Sequence, residues 1–544
     1  MEDSDLLLIN SILKAKNWLV VTDEIVSSME TEGASGKIEI PTTKGTLILD
    51  VEVSENFPLG PISFICKNIK GYEHEMPSGL LCLLAAPASA LEDRLELELE
   101  KLWAWVQRYY IEEQNDLHFD YYHFAKINTH TLIFEEDTTK PPIAGTFGKF
   151  KFASLRLPLD KSKDENTWIA TSLGSRDCRW SKTFLKVIFG SYIGLWAYIK
   201  KAPVIQRRET VQTWDDLLNI LSEAQTKFIY DQQAEMRKHT GVNGGFFLAL
   251  GYDIPADQGT EIHWENIFIP FNKFPFTTVK ENGKYYPSDL GFTVNWSKTL
   301  NASYGRVFGR GKLVDEICNS KILVIGTGAI GSNLVDLLVR GGVRTLDFHD
   351  SEQIEPGNIC RGRFSFTETD NYKVGTIYYE SIRINPYVEI DLGFSIKAIR
   401  KNHKDYKDAH KKLSAYDYIF DCSTDKYLSL MLDEMQLPGC LINLSISDEA
   451  RQMAVITGTG NIHKIKNSFY NRISNGITKK PFFVAQGCWH PTFKASMSDI
   501  SLLVSYAVSE INLRLENGAT VNSFFIQKEI TPHFSINYKI DYHV

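Results

Sequence analysis

The sequence predicts a multidomain chain that ends in an α/β domain with a mostly parallel sheet. Three observations carry this. The 544 residues exceed what a single hydrophobic core usually serves. From Lys321, "KILVIGTGAIGSNLVDLLVRGGVRTLDFHD" reads strand, glycine-rich turn, helix, strand, and further apolar strands follow at "YDYIFDCSTD", "CLINLSIS" and "RQMAVITG". Before residue 145 the order is instead helix, strands, loop and helix, an α+β pattern. The expected domains are residues 1–145, 146–300 and 301–544.

Bulk properties narrow the function. Hydrophobic residues make up 43% and charged residues 23%, as in ordinary globular proteins. A net charge of −8 argues against a basic nucleic-acid surface, so no direct nucleic-acid partner is expected. The acidic opening "MEDSDLLLIN" does not read as a secretory signal. The most apolar run, "VIFGSYIGLWAYI" from Val187 to Ile199, suits a core helix better than a membrane span. A cytoplasmic chain without membrane contact is the expectation. The eight cysteines include no C-x-x-C pair, which argues against a zinc ribbon, and a large cytosolic chain argues against a disulfide framework. Each cysteine is therefore packing or chemistry.

Along the chain, an opening helix is followed by strand-like "GKIEIPT", "GTLILDVEVS" and "PISFICKNI". A glycine-bearing loop around Cys82 comes next, in "SGLLCLLAAP". The following stretch places Leu95, Leu97, Leu99, Leu102, Trp103 and Val106 at roughly helical spacing. Residues 146–300 mix short strands with one helix expected at "TWDDLLNILSEAQTKFIYDQQAEMRKHTG". They carry no chemical motif, and a linker or bracing domain is the expectation.

The chemistry begins at Gly326, Gly328 and Gly331, a G-x-G-x-x-G between a strand and a helix. Glycine allows the tight turn and the close approach of phosphate to backbone N–H groups. The helix N-terminus adds partial positive charge. Asp350 ends the next strand, where a ribose-binding carboxylate belongs in a Rossmann-like unit. A nicotinamide-dependent dehydrogenase would open in the same way. The next segment differs: "HDSEQIEPGNICRGRF" carries Asp350, Glu352, Ile354, Asn358 and Arg361. This resembles the D-x-[DE]-x-[VI]-x-x-x-N-x-x-R signature of the ThiF/MoeB and ubiquitin-activating superfamily. The resemblance implies that the segment holds ATP, with Asp350 on ribose and Asn358 and Arg361 on phosphates. A guanidinium beside the α-phosphate offsets the charge that develops as a carboxylate attacks it.

"DCSTDKYLSLML" looks like that family's D-C-T-D-N segment with one residue inserted. The magnesium-linked aspartate then maps to Asp425, with Asp421 as the rival. A helix N-cap is the structural alternative for Asp425. The family's lysine, shortly after an I-G or V-G pair, is replaced by Tyr378; Lys373, five residues earlier, is the candidate substitute.

"VAQGCWHPTFKASMSDISLL" surrounds Cys488 and resembles the G-C-x-x-P-T-F segment of bacterial activating-enzyme-like proteins, whose cysteine accepts the adenylated chain as a thioester. Cys488 lies near His490 and Thr492; Cys440, leading into an apolar strand, is the rival nucleophile. The first segment is similar to ubiquitin-conjugating enzymes: Phe57, Pro58, Pro61, His74, Gly79, Cys82 and Leu83 match F-P-x-x-P, His, Gly turn and Cys-Leu. Met76 stands where that family has asparagine, so its usual oxyanion stabiliser is missing, and His123 is a weaker candidate for amine activation.

The order resembles the fused conjugating–activating enzymes of bacterial CBASS antiphage operons. The implied architecture is an N-terminal α+β ubiquitin-conjugating-like domain, a linker domain and a C-terminal Rossmann-like ThiF adenylation domain. The implied relay uses ATP and magnesium to adenylate a partner's C-terminal carboxylate. The acyl group then passes to Cys488, to Cys82, and to a target lysine. The implied partner is the C-terminal tail of a cyclic-oligonucleotide synthase, a cGAS/DncV-like nucleotidyltransferase, and the implied assembly is a homodimer. Three other readings stand beside it: activation of a separate ubiquitin-like or sulfur-carrier protein, an NAD-dependent oxidoreductase, and an inactive scaffold.

Overall fold

The computed structural model describes residues 2–28, 33–114, 116, 122, 124, 127–135, 147–155, 166–173, 176–240, 245–256, 259–271, 279–281, 284–286, 292–393, 395–458, 460–474, 482–483, 491–492, 495–530, 532–533 and 535–542. The chain divides into two compact units, the first drawn mainly from residues 1–301 and the second mainly from 302–544.

The first unit opens with helix α1 (Asp3–Lys14) and four strands: β1 (Val20–Ser28), β2 (Gly33–Thr42), β3 (Gly45–Ser54) and β4 (Ile62–Cys66). They pair antiparallel in sequence order, a simple meander. Leu47, Leu49, Val51 and Val53 alternate into the core, the period of two that a strand demands. Leu6, Ile9 and Leu13 bury one face of α1. Asn10 on that face donates to the Ile25 carbonyl at 2.9 Å and accepts from the Ile25 N–H at 2.8 Å, which pins β1. Strand β1 was not anticipated: its burial pattern leaves only Ile25 fully inside, so it lacks the apolar alternation that reveals a strand. Helix α2 (Leu91–Trp105) buries Leu95, Leu99, Leu102 and Trp105.

Beyond it lie β5 (Ile127–Phe134), β6 (Phe147–Ser154), β7 (Thr167–Leu173), β8 (Arg176–Asp177), β9 (Phe189–Tyr198), helices α3 (Trp214–Leu218) and α4 (Glu223–Thr240), β10 (Gly245–Ala256), β11 (Gly259–Pro270) and β12 (Trp296–Asn301). The sheet order is β5-β12-β11-β10-β9-β6-β7-β8, and β5 also pairs with β7, so seven strands close into a barrel. Phe246, Leu248, Leu250, Tyr252 and Ile254 of β10 share a core with Trp214 and Leu217 of α3 and Ile229 of α4.

Three expectations are corrected here. The apolar run 187–199 forms strand β9, not a helix. Length excluded a membrane span but not a strand, and the run's aromatic and β-branched residues favour the sheet. Gly194 makes room for a neighbour: a Cβ there would fall 2.3 Å from the Phe150 ring. The single helix expected from Thr213 is two, because α3 stops at Leu218 and α4 restarts at Glu223. The strands expected to be short include β10 and β11, each twelve residues and paired along their whole length. The barrel includes β5, which begins at Ile127.

The second unit holds β13 (Lys321–Ile325), α5 (Ala329–Arg340), β14 (Thr345–His349), α6 (Lys373–Ile384), β15 (Tyr418–Asp421), α7 (Lys426–Glu434), β16 (Cys440–Ile446), β17 (Gln452–Thr457), α8 (Ile462–Ser474), α9 (Met497–Glu516), β18 (Phe524–Ile530) and β19 (Ile536–Asp541). The sheet order is β14-β13-β15-β16-β17-β18-β19; the first four strands are parallel and the rest antiparallel. Ile322, Leu323, Val324 and Ile325 are at most 1% exposed, each burial stabilising by about 1.5–3 kcal/mol. The chain leaves β13 toward β14 on one side and returns as β15 on the other. The crevice at the carboxyl ends of β13 and β15 is therefore a topological switch point, where open α/β sheets take ligands. No helix among the described residues is long and apolar enough to cross a membrane.

Candidate functional site

Gly326, immediately after β13, adopts φ +83, a conformation that favours glycine. A Cβ there would sit 2.8 Å from the Ser423 nitrogen, so the turns after β13 and β15 touch. The Gly326 N–H donates to the His349 carbonyl at 2.8 Å. At Gly331 a Cβ would lie 1.8 Å from the Gly326 carbonyl oxygen, so the first turn of α5 packs directly on the turn. Gly328 differs: nothing lies within 4 Å of its Cβ position. It caps α5 without a side-chain bond, leaving backbone N–H donors at the helix start for an anion. Open space at Gly328 and tight packing at its two partners fit a phosphate cradle.

Asp350 follows β14 and sets the wall of this turn. One oxygen accepts from the Thr327 N–H at 2.7 Å and its hydroxyl at 3.2 Å; the other accepts from the Glu352 N–H at 2.9 Å. A carboxylate offers about four acceptor positions, so room remains for one hydroxyl. Asn358 accepts from the Glu355 N–H at 3.0 Å and thereby closes the turn Pro356–Asn358. Arg361 is half-buried, its Nε donating to the Gly357 carbonyl at 3.3 Å. Among the described residues no carboxylate pairs with Arg361. Lys373 begins α6, is 4% exposed, and reaches Glu352 with Nζ–Oε2 at 2.5 Å. Its ammonium thus lies beside the Asp350–Glu352 loop, whereas Tyr378 sits further along α6 against Tyr379.

The two aspartates after β15 differ sharply. Asp421, 1% exposed, accepts from the Ser423 N–H and hydroxyl, the Ser429 hydroxyl and Asn443 Nδ2 at 2.5–3.1 Å. These bonds occupy its lone pairs. Asp425 is exposed and commits one oxygen, which accepts the Tyr427 and Leu428 N–H groups at 2.9 and 3.1 Å as the N-cap of α7. The capping role is thus observed, and a second carboxylate oxygen is left over. Among the described residues no group of three or more His, Cys, Asp or Glu forms a metal cage. One carboxylate beside a phosphate cradle fits magnesium, which keeps several waters and needs no such cage.

Cys488 and His490, like His123, lie outside the described residues. Cys440 opens β16, and burial pushes its thiol up, which weakens it as a nucleophile. Ser496 accepts from the Asp499 N–H at 3.1 Å and caps α9, close to the helix start expected near Ser498.

In the first unit, Cys82 is exposed, and its N–H donates to the His74 carbonyl at 2.7 Å. Gly79 delivers it: φ is +85, and a Cβ would lie 2.4 Å from the Cys66 carbonyl oxygen. Cys66 is the contrasting thiol, buried and pushed up to about 11 by burial. His74 holds φ 56, and its Nε2 meets the Asp116 carboxylate, which also takes Arg108 at 2.7 Å and the Tyr109 hydroxyl at 3.1 Å. Burial raises the Asp116 carboxyl, but bonds from His74 and Tyr109, with the Arg108 charge, outweigh it and hold it below its ordinary range. Sequence reading missed this cluster, since 42 residues separate His74 from Asp116 with no motif between.

Glu75, beside His74, is 3% exposed and accepts the Tyr72 N–H at 3.0 Å. Burial pushes its carboxyl up to about 7 despite that bond. Its folded value stands above the unfolded one, so burial penalises the charged form. The Glu75 contribution to stability is therefore greatest at low pH and falls as pH rises from the ordinary carboxylate range through about 7. Glu75→Gln is expected to raise the melting temperature at pH 8 more than at pH 5.5, as calorimetry at both pH values would show.

Residues 302–432 match the ThiF family. A curated relative, the ATP-dependent ubiquitin transferase-like protein Cap2 of Enterobacter hormaechei subsp. hoffmannii, is 21% identical over 348 residues, covering 60% of this chain and 57% of the relative. The adenylyltransferase and sulfurtransferase UBA4 of Vanderwaltozyma polyspora is 28% identical over 130 residues, 21% of this chain and 27% of that protein. The chain thus spans little more than half of the first relative's length. Among solved structures, E. coli MccB with ATP shares 16% identity at a TM-score of 0.28, covering 41% of this chain and 64% of that one. The ThiF match begins one residue after β12 and ends within α7, so it contains the glycine turn, Asp350, Arg361, Lys373 and Asp425.

Proposed function

We propose that the chain uses ATP to activate the C-terminal carboxylate of a protein partner and conjugates it to an amine. The observation that carries this is the cradle itself: Gly326 and Gly331 packed tight, Gly328 open, and Arg361 without a carboxylate partner among the described residues. ATP is the substrate that supplies the energy. In this reading a carboxylate oxygen of the partner attacks the α-phosphorus, and pyrophosphate leaves. The N–H groups at the start of α5 hold phosphate oxygens, Asp350 takes a ribose hydroxyl, and Asn358, Arg361 and Lys373 oppose the phosphate charge. Asp425 would hold magnesium, which supplies electrophilic stabilisation of phosphate oxygens.

The Cys488 thiolate then attacks the acyl carbon and AMP leaves. The Cys82 thiolate takes the acyl group, returning Cys488 as thiolate, and an amine releases Cys82 as an amide forms. Exposure of Cys82 on a glycine-built loop suits such an exchange. The likeness to Cap2, an ATP-dependent ubiquitin transferase-like protein, supports ATP-driven transfer of a protein's carboxyl group. The finer reading, a CBASS role with a cyclic-oligonucleotide synthase as partner in a cytoplasmic homodimer, rests on the sequence resemblance. The likeness to UBA4 keeps a sulfur-carrier or ubiquitin-like partner as the second reading.

The test is ATP–pyrophosphate exchange that depends on a partner with a free C-terminal carboxylate, followed by trapping of a reductant-sensitive adduct lost in Cys488→Ala. Preference for NAD over ATP would overturn the reading. Asp425 offers a sharper check, because its capping and metal roles separate. Asp425→Ala is expected to cost about 1 kcal/mol of stability in urea unfolding, and Asp425→Ser to restore most of it. Neither is expected to support exchange; an active serine variant would remove the metal role.

A further inference from the structure

The amide of Asn333 joins three segments that surround the cradle. It lies on α5 and is 1% exposed. Nδ2 donates to the Ala329 carbonyl at 2.7 Å, in the first turn after the glycines. Oδ1 accepts from Arg363 Nε at 3.1 Å and from the Ser501 hydroxyl at 2.7 Å. Arg363 belongs to the loop that carries Arg361, and Ser501 belongs to α9. Two further bonds run alongside. The Arg363 N–H donates to the Ser332 hydroxyl at 3.1 Å, and the Met497 N–H donates to the Cys360 carbonyl at 3.1 Å.

The glycine turn, the arginine loop and the start of α9 are therefore held by one buried amide and its neighbours. If one segment shifts alone, the buried Asn333 amide loses one of its bonds, at about 0.5–1.5 kcal/mol. The low-cost motion is a joint one. We propose that Asn333 is a positioning residue that transmits nucleotide occupancy of the glycine turn to α9, the helix that follows position 488. The proposal rests on the adenylation reading. It adds that phosphate binding at Arg361 steadies α9, the helix that begins at Met497.

The test is hydrogen–deuterium exchange on the full chain with and without ATP and magnesium, with ATP affinity measured alongside by calorimetry. In the wild-type chain, ATP is expected to slow amide exchange across 497–505 about fivefold or more. Ser501→Ala, a mild change at a half-buried position, and Asn333→Ala are each expected to reduce that slowing below about twofold while ATP still binds. Ser501→Thr, which keeps the hydroxyl, is expected to restore it. Protection that survives both alanine variants, or wild-type chain that binds ATP without protecting α9, overturns the coupling. Wild-type chain that binds no ATP overturns the adenylation reading, and the coupling with it.

Discussion

Cys82→Ala is expected to leave an acyl group stranded on Cys488 and to cut conjugate formation by about a thousandfold or more. Alanine preserves the loop, because what holds it is backbone. The Cys82 N–H bonds the His74 carbonyl, the Leu81 N–H bonds the Phe64 carbonyl, and the Cys66 N–H bonds the Gly79 carbonyl, at 2.7–2.9 Å. The thiol is exposed, so its loss creates no cavity. The melting temperature is expected to stay unchanged and pyrophosphate exchange to stay at the wild-type rate. Non-reducing electrophoresis with labelled partner would show one adduct instead of two. Normal conjugation by this variant would end the two-thiol relay.

Gly331→Ala is expected to abolish ATP binding and to weaken the second unit. The added Cβ would meet the Gly326 carbonyl oxygen at 1.8 Å, a backbone atom that no rotamer change can move aside. Either α5 lifts off the turn or the turn opens, and Gly326 is itself wedged against Ser423. Overpacking of this kind costs about 1–3 kcal/mol, and here the strain falls on the phosphate cradle. Gly328→Ala is the control, since its Cβ position is open and its fold should survive. Calorimetry with ATP is expected to show binding lost in both, and urea unfolding is expected to show destabilisation only in Gly331→Ala. Wild-type affinity in Gly328→Ala would mean that the open space is not a phosphate site.

Legibility in the sequence followed locality. The strand–turn–helix at Lys321–Arg340 was readable because its chemistry is contiguous: buried β residues, glycines at fixed offsets, then an amphipathic helix. The helix packing of α2 was readable for the same reason. Strand β9 was not, because a thirteen-residue apolar run satisfies a buried helix as well as a strand, and only its neighbours β6 and β10 choose. Closure of the barrel depends on β5 meeting β7 and β12, pairings that leave no local mark.

The candidate site divides in the same way. Spacing alone determined three glycines and an acid after the next strand, and the family resemblance added an arginine, two aspartates and a set of thiols. Only tertiary structure separated Asp421, whose lone pairs are spent on Ser423, Ser429 and Asn443, from Asp425, which keeps an oxygen outside. It alone placed Asp116 against His74 and Asn333 between Arg363 and Ser501. Side-chain hydrogen bonds between distant segments are set by how elements pack. Packing is a property of the whole chain, not of any window along it.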